Sequence, residues 1–159
     1  MADALVPVPP ASLLRFYRIG LFCHTALIVA IAAGAYAGVL PTQIKVLPFY
    51  DLVMHFLLVG MFGFFLDAAL AHRPIVAAPF VPRLGPAIAL LLAAAEEYLQ
   101  RLSPRRSSSW GDFAANAAGI LVCAWLAKRL TMSRAARSTA ETGQNTPSSV
   151  RAIPKEDAA

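Results

Sequence analysis

The chain has 159 residues, of which 58% are hydrophobic and only 14% charged, and its net charge is +5. Soluble domains carry about 25% charged residues, so this composition excludes an ordinary soluble domain and points to a membrane. The positive balance does not indicate nucleic acid, because the basic residues flank apolar segments instead of forming a stripe interleaved with aromatics.

In chain order, Pro7, Pro9 and Pro10 keep the first residues extended. The stretch ASLLRFYR then offers aromatic and arginine side chains suited to a membrane interface, so residues 1–18 read as an interfacial cytoplasmic segment. The first apolar run, Ile19 to Leu40, is preceded by Arg15 and Arg18, and Ala35 and Ala37 imitate a cleavage site. It exceeds the h-region of a signal peptide, about 7 to 15 residues, and reads as a span. Three more apolar runs follow, Tyr50 to Leu70, Leu84 to Leu102 and Phe113 to Leu130. Each is close to the ~20 residues that cross a ~30 Å hydrocarbon core. Prolines in PTQIKVLPFY and AHRPIVAAPFVPR interrupt helix between the first three runs, and such short connections set neighbours antiparallel. The expected fold is therefore all-α: a polytopic membrane protein with four transmembrane helices in a compact antiparallel bundle. Residues 131–159, TMSRAARSTAETGQNTPSSVRAIPKEDAA, lack apolar periodicity and read as a disordered cytoplasmic tail.

Cys23 and Cys123 fall inside spans and without CxxC or CxxH spacing, so they read as small packing residues, with neither disulfide nor zinc. No repeat, glycine-rich phosphate loop or HExxH sequence is present, and no cofactor is expected. A cytoplasmic N-terminus puts Arg15, Arg18, Arg73, Arg83, Lys128, Arg129, Arg134 and Arg137 inside, against Lys45, Arg101, Arg105 and Arg106 outside; the distal Arg151 and Lys155 are discounted. The excess inside predicts a multi-pass protein of the inner (plasma) membrane with both termini cytoplasmic.

The polar residues then fall into a pattern. Asp51 and His55 lie four apart at the start of the second span, Glu97 and Gln100 three apart at the end of the third, and Asp112, Asn116 and Gly119 form an i, i+4, i+7 stripe entering the fourth. Alternation of spans brings these three ends to one membrane face, the outer one in the favoured orientation. Ionisable groups in membranes are costly, usually face a protein interior or wet cavity and pair with one another. Asp51, His55, Glu97 and Asp112 are thus candidates for chemistry, with Arg106 as counter-charge. The plainer alternative is that they mark span ends, with Asp112 capping the fourth helix and Arg101, Arg105 and Arg106 meeting lipid phosphates. His24 reads as a satisfied or interfacial histidine, Glu96 as a partner or rim residue pointing away from Glu97, and Asp67 and His72 as solvated at the far face. Gly60, Gly63 and the alanines from Ala114 to Ala118 suit close helix packing.

Taken in order, the D-x-x-x-H of Asp51 and His55, the E-x-x-Q of Glu97 and Gln100, Arg106, and the D-x-x-x-N-x-x-G of Asp112, Asn116 and Gly119 resemble the core pattern of the VanZ-like membrane proteins. The likeness covers roughly Tyr50 to Leu130, with Leu52 standing where members often carry a lysine. It implies an integral membrane protein of the cell envelope, in a family named for a member linked to low-level resistance to the glycopeptide teicoplanin. An activity does not follow from it.

Three functions remain open on this reading. In the first, the outer polar site binds an anionic lipid headgroup or a lipid-linked cell-wall precursor, with an effect on teicoplanin susceptibility. Arg106, helped by Arg105, meets the anion, Gln100 and Asn116 give neutral hydrogen bonds, and Glu97 and Asp112 orient the arginine. In the second, an intramembrane enzyme uses Asp51, His55, Glu97 and Asp112 for acid and base chemistry or to hold a divalent metal, although the four form no recognisable metal signature. The third is a structural scaffold. Besides the bilayer, the first reading names a lipid-type partner; nucleic acid is not expected.

Overall fold

The computed structural model describes residues 9–39, 49–75, 83–102 and 109–144, and side chains as far as residue 134. Among these residues the chain is helical, with α1 (Ala11–Ala37), α2 (Tyr50–Ala69), α3 (Leu84–Arg101) and α4 (Trp110–Gln144), and no strand. Three helices are long and apolar enough to cross a membrane: α1, α2 and the part of α4 from Trp110 to Arg134. The third apolar run forms an 18-residue helix that carries Glu96, Glu97 and Arg101 near its end, and it is not among those three.

Two boundaries correct the expectations from sequence. Helix α1 begins eight residues before Ile19, because Pro10 ends the extended segment and its carbonyl accepts from the amides of Leu13 (3.0 Å) and Leu14 (3.1 Å). Helix α4 continues past Leu130 to Gln144, so the stretch from Thr131 to Gln144 is not a disordered tail. Its Ala, Arg, Met, Glu and Gln residues are strong helix formers, and no proline occurs before Pro147. The Thr131 hydroxyl donates to the carbonyl of Ala127 at 2.8 Å, which satisfies it within the helix. Residues 145–159 lie outside those described. At the other end of α1, Gly38 takes a left-handed φ of 74°, and the Gly38 and Val39 amides close onto Ala35 and Gly34.

Helix α2 is the hub: α1, α3 and α4 all pack on it, and α4 most extensively. The reason lies in glycine. A Cβ built on Gly119 would stand 2.2 Å from the Phe56 carbonyl oxygen, and one on Gly60 would stand 2.9 Å from the Gly119 backbone and 3.0 Å from Cys123 Sγ. Such backbone approach is what small residues permit in membrane helices. Above it, Ala89, Ala93 and Ile120 form a core with Val59, Phe62 and Leu66, while Tyr17, Ala68, Ala69 and Ala127 form a second one with Phe64 and Phe65. Cys123 is buried against α2 and Cys23 is exposed, both as free thiols.

Asp67 and His72 contradict the solvated reading. Asp67 is fully buried and His72 is 7% exposed; Asp67 Oδ2 bonds His72 Nδ1 at 2.7 Å and accepts from the Arg83 guanidinium. The chain brings them together by turning sharply after α2: Ala71 and His72 hold left-handed φ of 53° and 57°, the His72 amide returns to the Asp67 carbonyl at 2.9 Å, and Leu84 bonds Arg73 at 2.8 Å. Gly85 at the start of α3 then lies against the Asp67 backbone, where a Cβ would stand 2.5 Å away. The cluster ties the end of α2 to the start of α3. Burial of a carboxylate is tolerable here because two donor side chains meet it.

Candidate functional site

Helix α1 leans on α2 and approaches neither α3 nor α4 closely. The space left between α1 and α3, floored by α2, is a partly open cavity of about 360 Å³. Its body is apolar: Ile28, Ile31 and Ala32 come from α1, Met54, Leu58, Val59 and Phe62 from α2, and Ala89, Leu92 and Ala93 from α3. Most of its polar groups gather at one end, where Asp51, His55, Glu96, Gln100 and Asn116 line it, while Thr25 adds one hydroxyl from α1.

Each polar group is placed by its helix. Asn116 sits a turn inside α4 at 2% exposure, and its Oδ1 lies 3.2 Å from His55 Nδ1, so that imidazole N–H donates to the amide and α2 is pinned to α4 just beside the Phe56–Gly119 approach. Asp51, a turn before His55, is exposed at the rim. Gln100 is 1% exposed and donates from Nε2 to Glu96, one turn earlier on the same face of α3. The Tyr36 hydroxyl, near the end of α1, donates to the other Glu96 oxygen at 3.4 Å, so a side-chain bridge closes the polar end of the groove between α1 and α3. His24 is satisfied at the deeper side, its Nε2 donating to the Leu58 carbonyl at 2.8 Å.

Four of the residues singled out from sequence, Asp51, His55, Gln100 and Asn116, therefore share one cavity. Glu97 does not join them. It is buried on the opposite side of α3, in a smaller cavity of about 210 Å³ with Tyr98, Arg101, Trp110 and Phe113, and neither carboxylate oxygen has a hydrogen-bond partner among the described residues. Asp112 does not join them either: it occupies the first turn of α4, where its backbone amide donates to Ser109 Oγ at 3.1 Å. Ser109 is thus the helix cap, and Asp112 places its charge at the positive end of the helix dipole. Arg101 stacks over the Trp110 ring at 5.3 Å. Arg105 and Arg106 lie outside the described residues.

Tyr36 is the residue that sequence reasoning missed, and Glu96, read as a partner or rim residue, takes the place at Gln100 that sequence reasoning gave to Glu97. Glu96 and Glu97 stand four and three residues before Gln100, and both spacings make helix neighbours, so spacing alone does not choose between them. Nothing local marks Tyr36, since its partner lies on another helix. Among the described residues, no three His, Cys, Asp or Glu side chains converge in a way that would hold a metal ion. No protein-family model, curated protein or solved structure matches this chain.

Proposed function

We propose that this is a multi-pass membrane protein of the VanZ-like type, an antiparallel four-helix bundle of the cell envelope that binds the headgroup and chain of a lipid or lipid-linked intermediate at the outer membrane face. The observation that carries this reading is the form of the cavity: an apolar groove with polar side chains from three helices collected at one end. An amphiphile is the ligand whose two parts match those two surfaces. From Tyr50 to Phe62 the groove follows thirteen residues of α2, about 18 Å of helix rise, close to the ~15 Å of one bilayer leaflet. That length suits a single acyl or prenyl chain standing in its leaflet with its headgroup at the interface.

We assign the headgroup phosphate to Arg106 and Arg105, which follow α3 and precede α4 in the sequence. His55 and Asn116 supply neutral hydrogen bonds. On this reading α3 is the fourth span, with its acidic end at the headgroup level, where ionisable side chains reach water cheaply. Contacts of α2 support the antiparallel order: its late residue Asp67 meets the start of α3, and its early residue His55 meets the start of α4. The charge imbalance in the loops supports cytoplasmic termini.

The test is lipid binding by the purified full-length protein. Leu92→Trp and Ala32→Phe, which fill the groove from α3 and α1, are expected to lower the number of retained phospholipids, and Arg106→Lys to weaken binding of anionic lipid. Retention unchanged in both groove-filling variants would overturn the proposal.

A further inference from the structure

The polar end of the groove presents acceptors. Glu96 and Asp51 bring carboxylates to it, and no Lys or Arg is among the described residues that line it. Gln100 adds a third acceptor. Its Nε2 must be the group that faces Glu96, because a carboxylate only accepts, and this leaves Oε1 buried without a hydrogen-bond partner among the described residues. A buried acceptor without a donor is costly, and a ligand that donates to it recovers that cost on binding. Asp51 and Glu96 alone would read as a solvated helix end; the orphaned Gln100 oxygen and the apolar groove below it do not fit that reading.

We infer that the groove selects a lipid whose headgroup carries a primary ammonium. The inference rests on the reading of the groove as a lipid site and adds the donor end of the headgroup. A primary ammonium has three N–H donors and a positive charge. Glu96, Asp51 and Gln100 Oε1 offer three acceptors and two negative charges in a site partly shielded from water, where charge-assisted bonds are strong. The Tyr36 hydroxyl, which donates to Glu96, holds that carboxylate at the gap between α1 and α3. A choline headgroup has the charge but no N–H, and a glycerol headgroup has hydroxyl donors but no positive charge. Both leave part of this set unmet.

The experiment uses the full chain in detergent micelles, titrated with dioleoyl phosphatidylethanolamine, phosphatidylglycerol or phosphatidylcholine, with bound lipids counted by native mass spectrometry. Soluble ethanolamine phosphate is added as a tail-free competitor. The ethanolamine lipid is expected to bind roughly tenfold more tightly than either of the others, the size of one charge-assisted contact. Glu96→Gln is expected to bring the three close to parity, and Asp51→Asn to move them in the same direction; if Glu96→Gln does not fold, the wild-type ranking and Asp51→Asn decide. Equal binding of the three lipids by the wild type overturns the headgroup inference and leaves the lipid groove standing. Failure to retain any lipid overturns both. Displacement by soluble ethanolamine phosphate at the concentration at which the lipid itself binds overturns the role given to the acyl chain.

Discussion

Gly119→Ala separates two opposed effects at the α2–α4 crossing. In an isolated helix the change stabilises by about 1 kcal/mol, because alanine is the better helix former. Here the new methyl would stand 2.2 Å from the Phe56 carbonyl oxygen, 1.2 Å short of the 3.4 Å at which ordinary contact begins, and 3.0 Å from Phe56 C and Cα. All three atoms are backbone of a helix that also packs against α1 and α3, so no side-chain rotation relieves the clash. The helices must part by roughly the missing ångström, and overpacking of this kind costs about 1 to 3 kcal/mol. Moving α4 by that amount would also lengthen the His55–Asn116 bond, now 3.2 Å, beyond hydrogen-bonding range. The net change is therefore expected to be destabilising, at the upper end of that range. Thermal unfolding of purified protein in detergent reads it, with Ala118→Val on the exposed face of the same helix as the control. A Gly119→Ala protein that melts at or above the wild-type temperature would refute the close crossing.

Three further changes probe the rest of the fold. Arg83→Ala strips a donor from the buried Asp67 carboxylate and is expected to cost about 3 kcal/mol in the same melt, whereas Arg73→Ala, at an exposed side chain that does not bond that carboxylate, should cost little. Ala71→Gly relieves a left-handed φ of 53° and should be neutral or stabilising by about 1 kcal/mol, against the usual penalty for glycine; a clear loss of stability would place the strain elsewhere. Asn116→Leu removes the interhelical bond to His55 and is expected to cost about 0.6 to 1.7 kcal/mol, read by double-mutant cycle with His55→Ala; a coupling of zero would mean that the two side chains do not interact.

Apolar runs made the helices legible, because length and hydropathy alone mark a segment that hydrocarbon can accept. Their ends were less legible. The extension of α4 to Gln144 depends on helix propensity in a polar stretch, which carries no apolar periodicity to announce it. Within the site, the spacing of Asp51 with His55 and the stripe through Asn116 could be read as helix faces, and the cavity collects these residues with Gln100. What spacing could not give is which side of α3 faces the groove. Glu96 and Glu97 are adjacent and diverge by ~100°, so the choice between them is made by the packing of α3 on α2 and α4. The same holds for Asp67, His72 and Arg83, whose meeting depends on two left-handed residues after α2 that no glycine in the sequence signals.

The most direct measurement is photo-crosslinking of the protein in lipid nanodiscs that contain a phospholipid with a photoreactive group midway along its acyl chain, with adducts mapped by peptide mass spectrometry. If the groove between α1 and α3 holds an acyl chain, adducts concentrate on Ile28, Leu58 and Leu92, and Leu92→Trp reduces them at the other two. Adducts confined to the exposed outer faces, at residues such as Phe22, Leu121 and Trp125, with none in the groove, would contradict a lipid site there.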